Sequence, residues 1–274
     1  MACGNFSAMG LQDETWLVTG SAGRIGRHLV RGLRGVVGSL ALLDLHDSDV
    51  EGLPCAGVDV RDSTALAATL RGVDGVVHLA GIPDEADFDD LLASNVIGTR
   101  NVLEGARLNG VRRVVLASSN RVTGFTSIDE HIGVSAPVRP DGFYGVSKVA
   151  CEALGRLYAD KFGLEVVAVR IGSFNEVPGD VRMLSTWLSP RDGVSALVAA
   201  MTAPITGYAA FYAVSRNTRR WWDLADGAAL GYQPVDDAEE YAPQFADGDV
   251  PNGVQGGSFA DVEFSLSKQR RAAG

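Results

Sequence analysis

From Trp16 onward, short uninterrupted apolar runs alternate with longer segments whose apolar positions recur at helical spacing. The runs are TWLVTG, LALLDL, VDV, DGVVHLAG, RVVLASS and EVVAVRIG. Between them lie IGRHLVRGLRG, STALAATLRG, the stretch from DFDD to RLNG, and a helix expected from about Tyr144 to Phe162. Continuous Val/Leu/Ile runs belong to strands covered on both faces, and their alternation with helices predicts an α/β fold: a Rossmann-like, doubly wound parallel sheet. After Phe174 the pattern loosens to loops, one helix near RDGVSALVAAMTAP and a strand at AFYAVS. The expected organisation is therefore a flexible lead-in at 1–14, a sheet-and-helix core at 15–173, and a small loop-rich region at 174–274 packed on that core, where such folds bind their substrates.

Composition narrows the class. Glycine makes up 33 of 274 residues, well above the usual ~7%, and much of the excess lies in short turns between apolar runs. The formal charge of −10, with no Lys/Arg cluster longer than a pair, argues against nucleic acid. An anionic substrate would then need a local arginine. Cys3, Cys55 and Cys151 are few, odd in number and without CxxC spacing, so neither a disulfide framework nor a metal site is expected. No segment reads as a signal peptide or a membrane span, and a reducing cytoplasm is the simplest compartment.

The turn after the first strand, TGSAGRIG, sets Gly20, Gly23 and Gly26 at three-residue spacing ahead of a helix, with Arg24 and Ile25 inside the turn. Such a turn lets backbone N–H groups approach a pyrophosphate. Asp44 ends the second strand 18 residues past Gly26, with no arginine directly after it. A carboxylate there accepts hydrogen bonds from ribose hydroxyls and repels a 2′-phosphate, which favours NAD over NADP. Asp59 and Val60 are placed beside the adenine or, equally, in a polar surface turn. Tyr144 and Lys148, four apart in YGVSK, share one helical face, where an ammonium can stabilise a phenolate.

These signals occur in chain order with HLAG at 78–81, SNVIGTRN around Asn95 and ASSN at 117–120. In that combination the chain resembles the extended short-chain dehydrogenase/reductase superfamily over nearly its whole length. The resemblance implies catalysis by Ser119, Tyr144 and Lys148, and a dinucleotide held also by Leu79, Ala80, Gly81, Asn95 and Lys148. The segments SSNRVTGF, AVRIGSF, VRMLSTWLSP and QGGSF are similar to the uronate dehydrogenases, which oxidise the C1 hydroxyl of a uronic acid to an aldarolactone. That likeness implies that Arg182 binds a sugar carboxylate and that Ser119, Asn120 and Ser173 hold sugar hydroxyls.

Two positions depart from that pattern. Arg121 stands where the family has histidine, and Pro83 where it has serine. Arg121 would either hold a second anionic group or pair with Asp129 or Glu130; Arg182, if not a ligand, would pair with Asp180 or Asp192. Two other functions use related residues: a sugar epimerase with tightly bound NAD, which an Arg121–phosphate contact would favour, and a non-catalytic dinucleotide sensor, which usually lacks the tyrosine. The resemblance is also compatible with a homo-oligomer.

Overall fold

The computed structural model describes residues 11–245 and 250–269. Strands β1 (Thr15–Thr19), β2 (Ser39–Asp44), β3 (Ser48–Val50), β4 (Leu53–Gly57), β5 (Gly75–His78), β6 (Arg113–Ser119) and β7 (Glu165–Ile171) are interleaved with helices. These helices are α1 (Arg24–Leu33), α2 (Ser63–Thr69), α3 (Phe88–Leu91), α4 (Gly98–Asn109) and α5 (Phe143–Phe162). The remainder adds β8 (Ser173–Phe174), α6 (Met183–Thr186), β9 (Trp187–Leu188), α7 (Pro190–Thr202), β10 (Tyr208–Ala213), α8 (Ala225–Ala229) and α9 (Val262–Gln269).

Eight strands form one sheet in the order β10-β7-β6-β5-β1-β2-β4-β3, parallel throughout except for the β3–β4 edge pair. Because side chains alternate across a strand, each apolar run feeds two cores at once. In β1, Trp16 and Val18 join a layer with Leu29 and Leu33 of α1 and Ala196 to Ala200 of α7, while Leu17 enters the opposite layer. That opposite layer holds Leu66 of α2, Val102 and Leu103 of α4, and Tyr158 of α5. β6 and β7 divide in the same way, Val115 and Val167 to one side and Val114 and Val166 to the other. Such two-sided burial is why these strands are unbroken apolar runs.

From β1 the chain winds outward through β2 and β4, then returns to the other side of β1 with β5. Strand order thus reverses between β1 and β5, where parallel sheets open a crevice at their carboxyl ends.

The structure refines several expected boundaries. The third parallel strand is Leu53–Gly57, so VDV lies just beyond it, and the antiparallel β3 has no counterpart in the sequence reading. The helix expected from DFDD to RLNG is interrupted by a π-turn at Leu92–Ile97. Of the expected lead-in, residues 1–10 and with them Cys3 lie outside the described residues; Leu11–Asp13 form a 3-10 turn with Leu11 buried in the core.

Helix α5 is tied to the sheet by buried charge. Glu152 accepts from Arg170 Nε at 2.9 Å and Nη2 at 2.8 Å and from Ser118 Oγ at 2.5 Å, joining α5 to β7 and β6. Burial works against the Arg170 charge, but Glu152 outweighs it and holds the guanidinium above its ordinary range. Glu152→Ala leaves that guanidinium buried and uncompensated, and is expected to cost about 3–5 kcal/mol in urea unfolding. A Glu152→Leu/Arg170→Met double variant recovers most of it; a single variant without measurable cost would refute the tether.

His78 ends β5 fully enclosed, its ring nitrogens 2.8 Å from Thr19 Oγ1 and 3.1 Å from Thr99 Oγ1. Burial, helped by the Lys148 charge, lowers it to about 3. The unfolded chain therefore binds a proton below about 6.5 that the folded protein refuses, so stability present above that pH is lost as pH falls toward 3. Unfolding midpoints of wild type and His78→Gln between pH 7 and 4.5 test this: the wild-type slope is expected to exceed that of the variant, and parallel slopes would count against it.

Candidate active site

The crevice between β1 and β5 opens into one cavity of about 800 Å³. Every residue expected to touch cofactor or substrate lines it except Asn95. Gly20 turns there at φ +70°, a conformation L side chains rarely adopt, and a β-carbon on it would lie 2.6 Å from Ala80 N. At Gly26 a β-carbon would overlap the Gly20 carbonyl, so the start of α1 sits directly on the turn. The first-turn amides of α1, which no helical carbonyl can reach, face a cradle bounded by Gly23. An anionic diphosphate suits that surface.

Asp44 is oriented by its neighbours: Oδ2 accepts from Ala22 N at 2.9 Å and Oδ1 from Leu45 N at 2.8 Å. Each oxygen retains a lone pair for a ribose hydroxyl. Asp59 and Val60 lie farther along the same wall, Asp59 held below its ordinary range chiefly by hydrogen bonding to Arg61, at 2.6 Å from Nη2 to Oδ2. Arg24 leans across the mouth, its Nη1 2.5 Å from Asn175 Oδ1.

The second half of the cavity is built where β6 ends beside α5. Lys148 Nζ donates to Ala117 O at 2.9 Å and lies 5.6 Å from the centre of the Tyr144 ring. Ser119 Oγ accepts from Arg121 N at 3.2 Å, and the buried Nδ2 of Asn120 has no hydrogen-bond partner among the described residues. A donor desolvated on a cavity wall is ready for a ligand oxygen.

Asn95 lies behind this wall and not in it. Its Oδ1 accepts from Ile82 N at 2.7 Å, and its Nδ2 donates to Ile82 O and Ser147 Oγ. The π-turn carries it, and its amide joins the loop after β5 to α5. Pro83 follows that loop onto the cavity surface.

The two arginines differ sharply. Arg121 pairs with Asp141 through Nε, with Asp84 at 3.5 Å and with Glu85 at 3.6 Å, and not with Asp129 or Glu130 as the sequence suggested. Arg182 is equally buried, yet among the described residues it forms no ion pair, with Asp180 or Asp192 or any other carboxylate. Its Nε donates to Gln255 O at 2.6 Å and its Nη1 to Ser173 Oγ at 3.3 Å. Burial without a partner pulls its guanidinium down to about 10, so its charge stands at neutral pH but at an electrostatic cost.

Sequence reasoning passed over the supports. Phe259 lies under both guanidinium groups, 4.3 Å from Arg121 and 5.3 Å from Arg182. Gln255 is pinned through Trp222 Nε1 to its Oε1 at 2.9 Å and through its own Nε2 to the carbonyls of Ser127 and Glu130. In sequence, QGGSF shows only a likeness to the uronate dehydrogenases; its part in holding Arg182 comes from the fold.

Residues 16–175 match the NAD dependent epimerase/dehydratase family. The chain is 41% identical over 254 residues to a uronate dehydrogenase of Agrobacterium fabrum, covering 89% of this chain and 96% of that one. A uronate dehydrogenase of Pseudomonas putida is 38% identical, with 89% and 94% covered. A crystal structure of a uronate dehydrogenase mutant from Agrobacterium tumefaciens, complexed with NAD, superposes with a TM-score of 0.85 at 40% identity, covering 92% of this chain and 98% of that chain.

Asp44→Ala is expected to shift the NAD-to-NADP preference, measured as the ratio of kcat/KM values, by roughly tenfold or more toward NADP, since hydrogen bonds to a charged acceptor are worth about 1.5–3 kcal/mol. An unchanged ratio would remove Asp44 from cofactor selection.

Proposed function

Since the chain belongs to the NAD-dependent epimerase/dehydratase family, we propose that it is an NAD-dependent dehydrogenase that oxidises the C1 hydroxyl of a uronic acid to the aldarolactone. The observation that carries this reading is Arg182: a buried guanidinium on the cavity wall with no ion-paired carboxylate among the described residues. A substrate carboxylate supplies the missing charge in the bidentate geometry guanidinium favours, and recovers the cost of desolvation on binding. It also reconciles an anionic substrate with a chain of charge −10.

NAD fits the cradle of Gly20, Gly23, Gly26 and Asp44, and when bound it supplies the hydride acceptor. Tyr144 takes the proton from the C1 hydroxyl, and Lys148 stabilises the phenolate form that does so. Ser119 hydrogen-bonds the reacting oxygen. The unpartnered Asn120 Nδ2 and the Ser173 hydroxyl hold other hydroxyls of the sugar, while Arg182 fixes its far end. Anchors at the reacting oxygen and at the acid set the reacting carbon by position and not by acid–base strength alone. The three carboxylates around Arg121 weigh against a phosphate-bearing substrate there, and so against a nucleotide-sugar epimerase.

Purified protein with NAD and galacturonate or glucuronate is expected to form NADH, read by its absorbance. Arg182→Met raises KM for the uronate roughly tenfold to a hundredfold, the worth of a charge-assisted hydrogen bond, and leaves NAD binding unchanged. Isomerisation of the sugar without NADH, or equal KM in the variant, would reject the proposal.

A further inference from the structure

Glu85 stands in the acidic stretch PDEADFDD at 83–90, yet its side chain has 0% exposure. The carboxylate lies against the first turn of α5, accepting from Phe143 N at 2.9 Å through Oε1 and from Tyr144 N at 3.1 Å through Oε2. These are two of the amides a helix cannot satisfy at its own start. The residue at the cap position is Gly142, which has no side chain to offer. A cap drawn from 58 residues upstream therefore replaces the local one, with its negative charge at the favourable end of the helix dipole.

A buried carboxylate needs a counter-charge, and Arg121 is placed to give it. Its Nη2 lies 3.6 Å from Glu85 Oε2 and makes no hydrogen bond among the described residues. Its other nitrogens engage Asp141 and Asp84. The guanidinium is further clamped by Phe259 at 4.3 Å and Phe264 at 5.6 Å, and Ser265 Oγ donates to Glu85 Oε1 at 3.3 Å. Around Glu85 the charged groups are thus Arg121, with Asp84 and Asp141 beyond it. Arg121 itself lies 5.6 Å from the centre of the Tyr144 ring.

We propose that Glu85 is a positioning residue for the reaction: it fixes the first turn of α5, and through Tyr144 N the placement of the Tyr144 phenol, while Arg121 acts as its counter-ion and not as a ligand for substrate. The proposal rests on the dehydrogenase reading above and adds to it the part that aims the tyrosine. It also explains why this chain tolerates an arginine beside its catalytic serine.

Three variants test it: Glu85→Ala, Glu85→Gln and Arg121→Gln. Each is assayed for kcat and KM with the sugar acid the wild type oxidises, for NAD binding, and for hydrogen exchange of the amides of residues 143–148 without substrate. Glu85→Ala is expected to lower kcat roughly tenfold to a hundredfold, the scale of a small misplacement of reacting groups, with KM and NAD affinity within about threefold. Its first-turn amides exchange at least about tenfold faster. Glu85→Gln keeps one acceptor oxygen but loses the charge and sets an amide NH2 against the second backbone N–H, so it is expected to fall between Glu85→Ala and wild type in both quantities, a graded order that a general loss of folding would not give. Arg121→Gln follows Glu85→Ala in kcat and leaves KM within about threefold.

Unchanged kcat or unchanged amide exchange in Glu85→Ala would overturn the proposal. So would an Arg121→Gln variant that raises KM with kcat intact, since that makes Arg121 a substrate ligand. The exchange measurement needs no substrate; if the wild type oxidises no uronate, the function fails while the helix cap still stands or falls on its own.

Discussion

The docking of α5 across the carboxyl end of β6 is the interaction on which the rest of the site depends. One helical face carries both Lys148, which donates to Ala117 O, and Glu152, which grips Arg170 and Ser118. The first residue meets the cavity and the second anchors the helix in the sheet, one turn apart. An ion pair this deep is not a strong source of stability, because desolvation offsets much of the attraction. Its value lies in direction: only one rotation of α5 on the sheet satisfies both carboxylate oxygens and the lysine together. Glu85 at the helix start and Asn95 alongside Ser147 constrain the same element from two further sides.

Within the cavity, the contrast between two arginines separates structure from recognition. Both are buried and both lie on the ring of Phe259. Arg121 faces three carboxylates, so its charge is compensated before any ligand arrives, whereas Arg182 meets only a carbonyl and a hydroxyl. Desolvation acts on each in the same sense; the difference is what the protein supplies in return. Asp141, near both, is itself pushed up by burial despite Arg121, and stays too far from Arg182 to form an ion pair with it.

What could be read from the chain was whatever is local in sequence. Apolar runs, the glycine spacing at 20–26 and the four-residue step from Tyr144 to Lys148 each report a short-range geometry, so the sheet and the cavity wall were legible. The supports were not. Nothing in PDEADFDD distinguishes Glu85 from its acidic neighbours, because its burial depends on α5 and on residues 259–265 arriving from far along the chain. The partners of Arg121 were misassigned for the same reason: Asp129 and Glu130 are close in sequence, but Asp141, Asp84 and Glu85 are close in space. Asn95 carried a recognisable motif, yet only the π-turn shows that its amide faces the protein and not the cavity.

The carbonyl that holds Arg182 belongs to Gln255, in a strap whose own fixing points are Trp222 and the loop at 127–130. The glycine turn and Asp44, by contrast, come from β1, α1 and β2, with the loop after β5 closing against Gly20. In a chain emerging amino-terminus first, the glycine turn and Asp44 therefore precede by some two hundred residues the strap that holds Arg182. The two halves of the cavity thus draw on different stretches of the chain, one near its start and one fastened from residues 222–259.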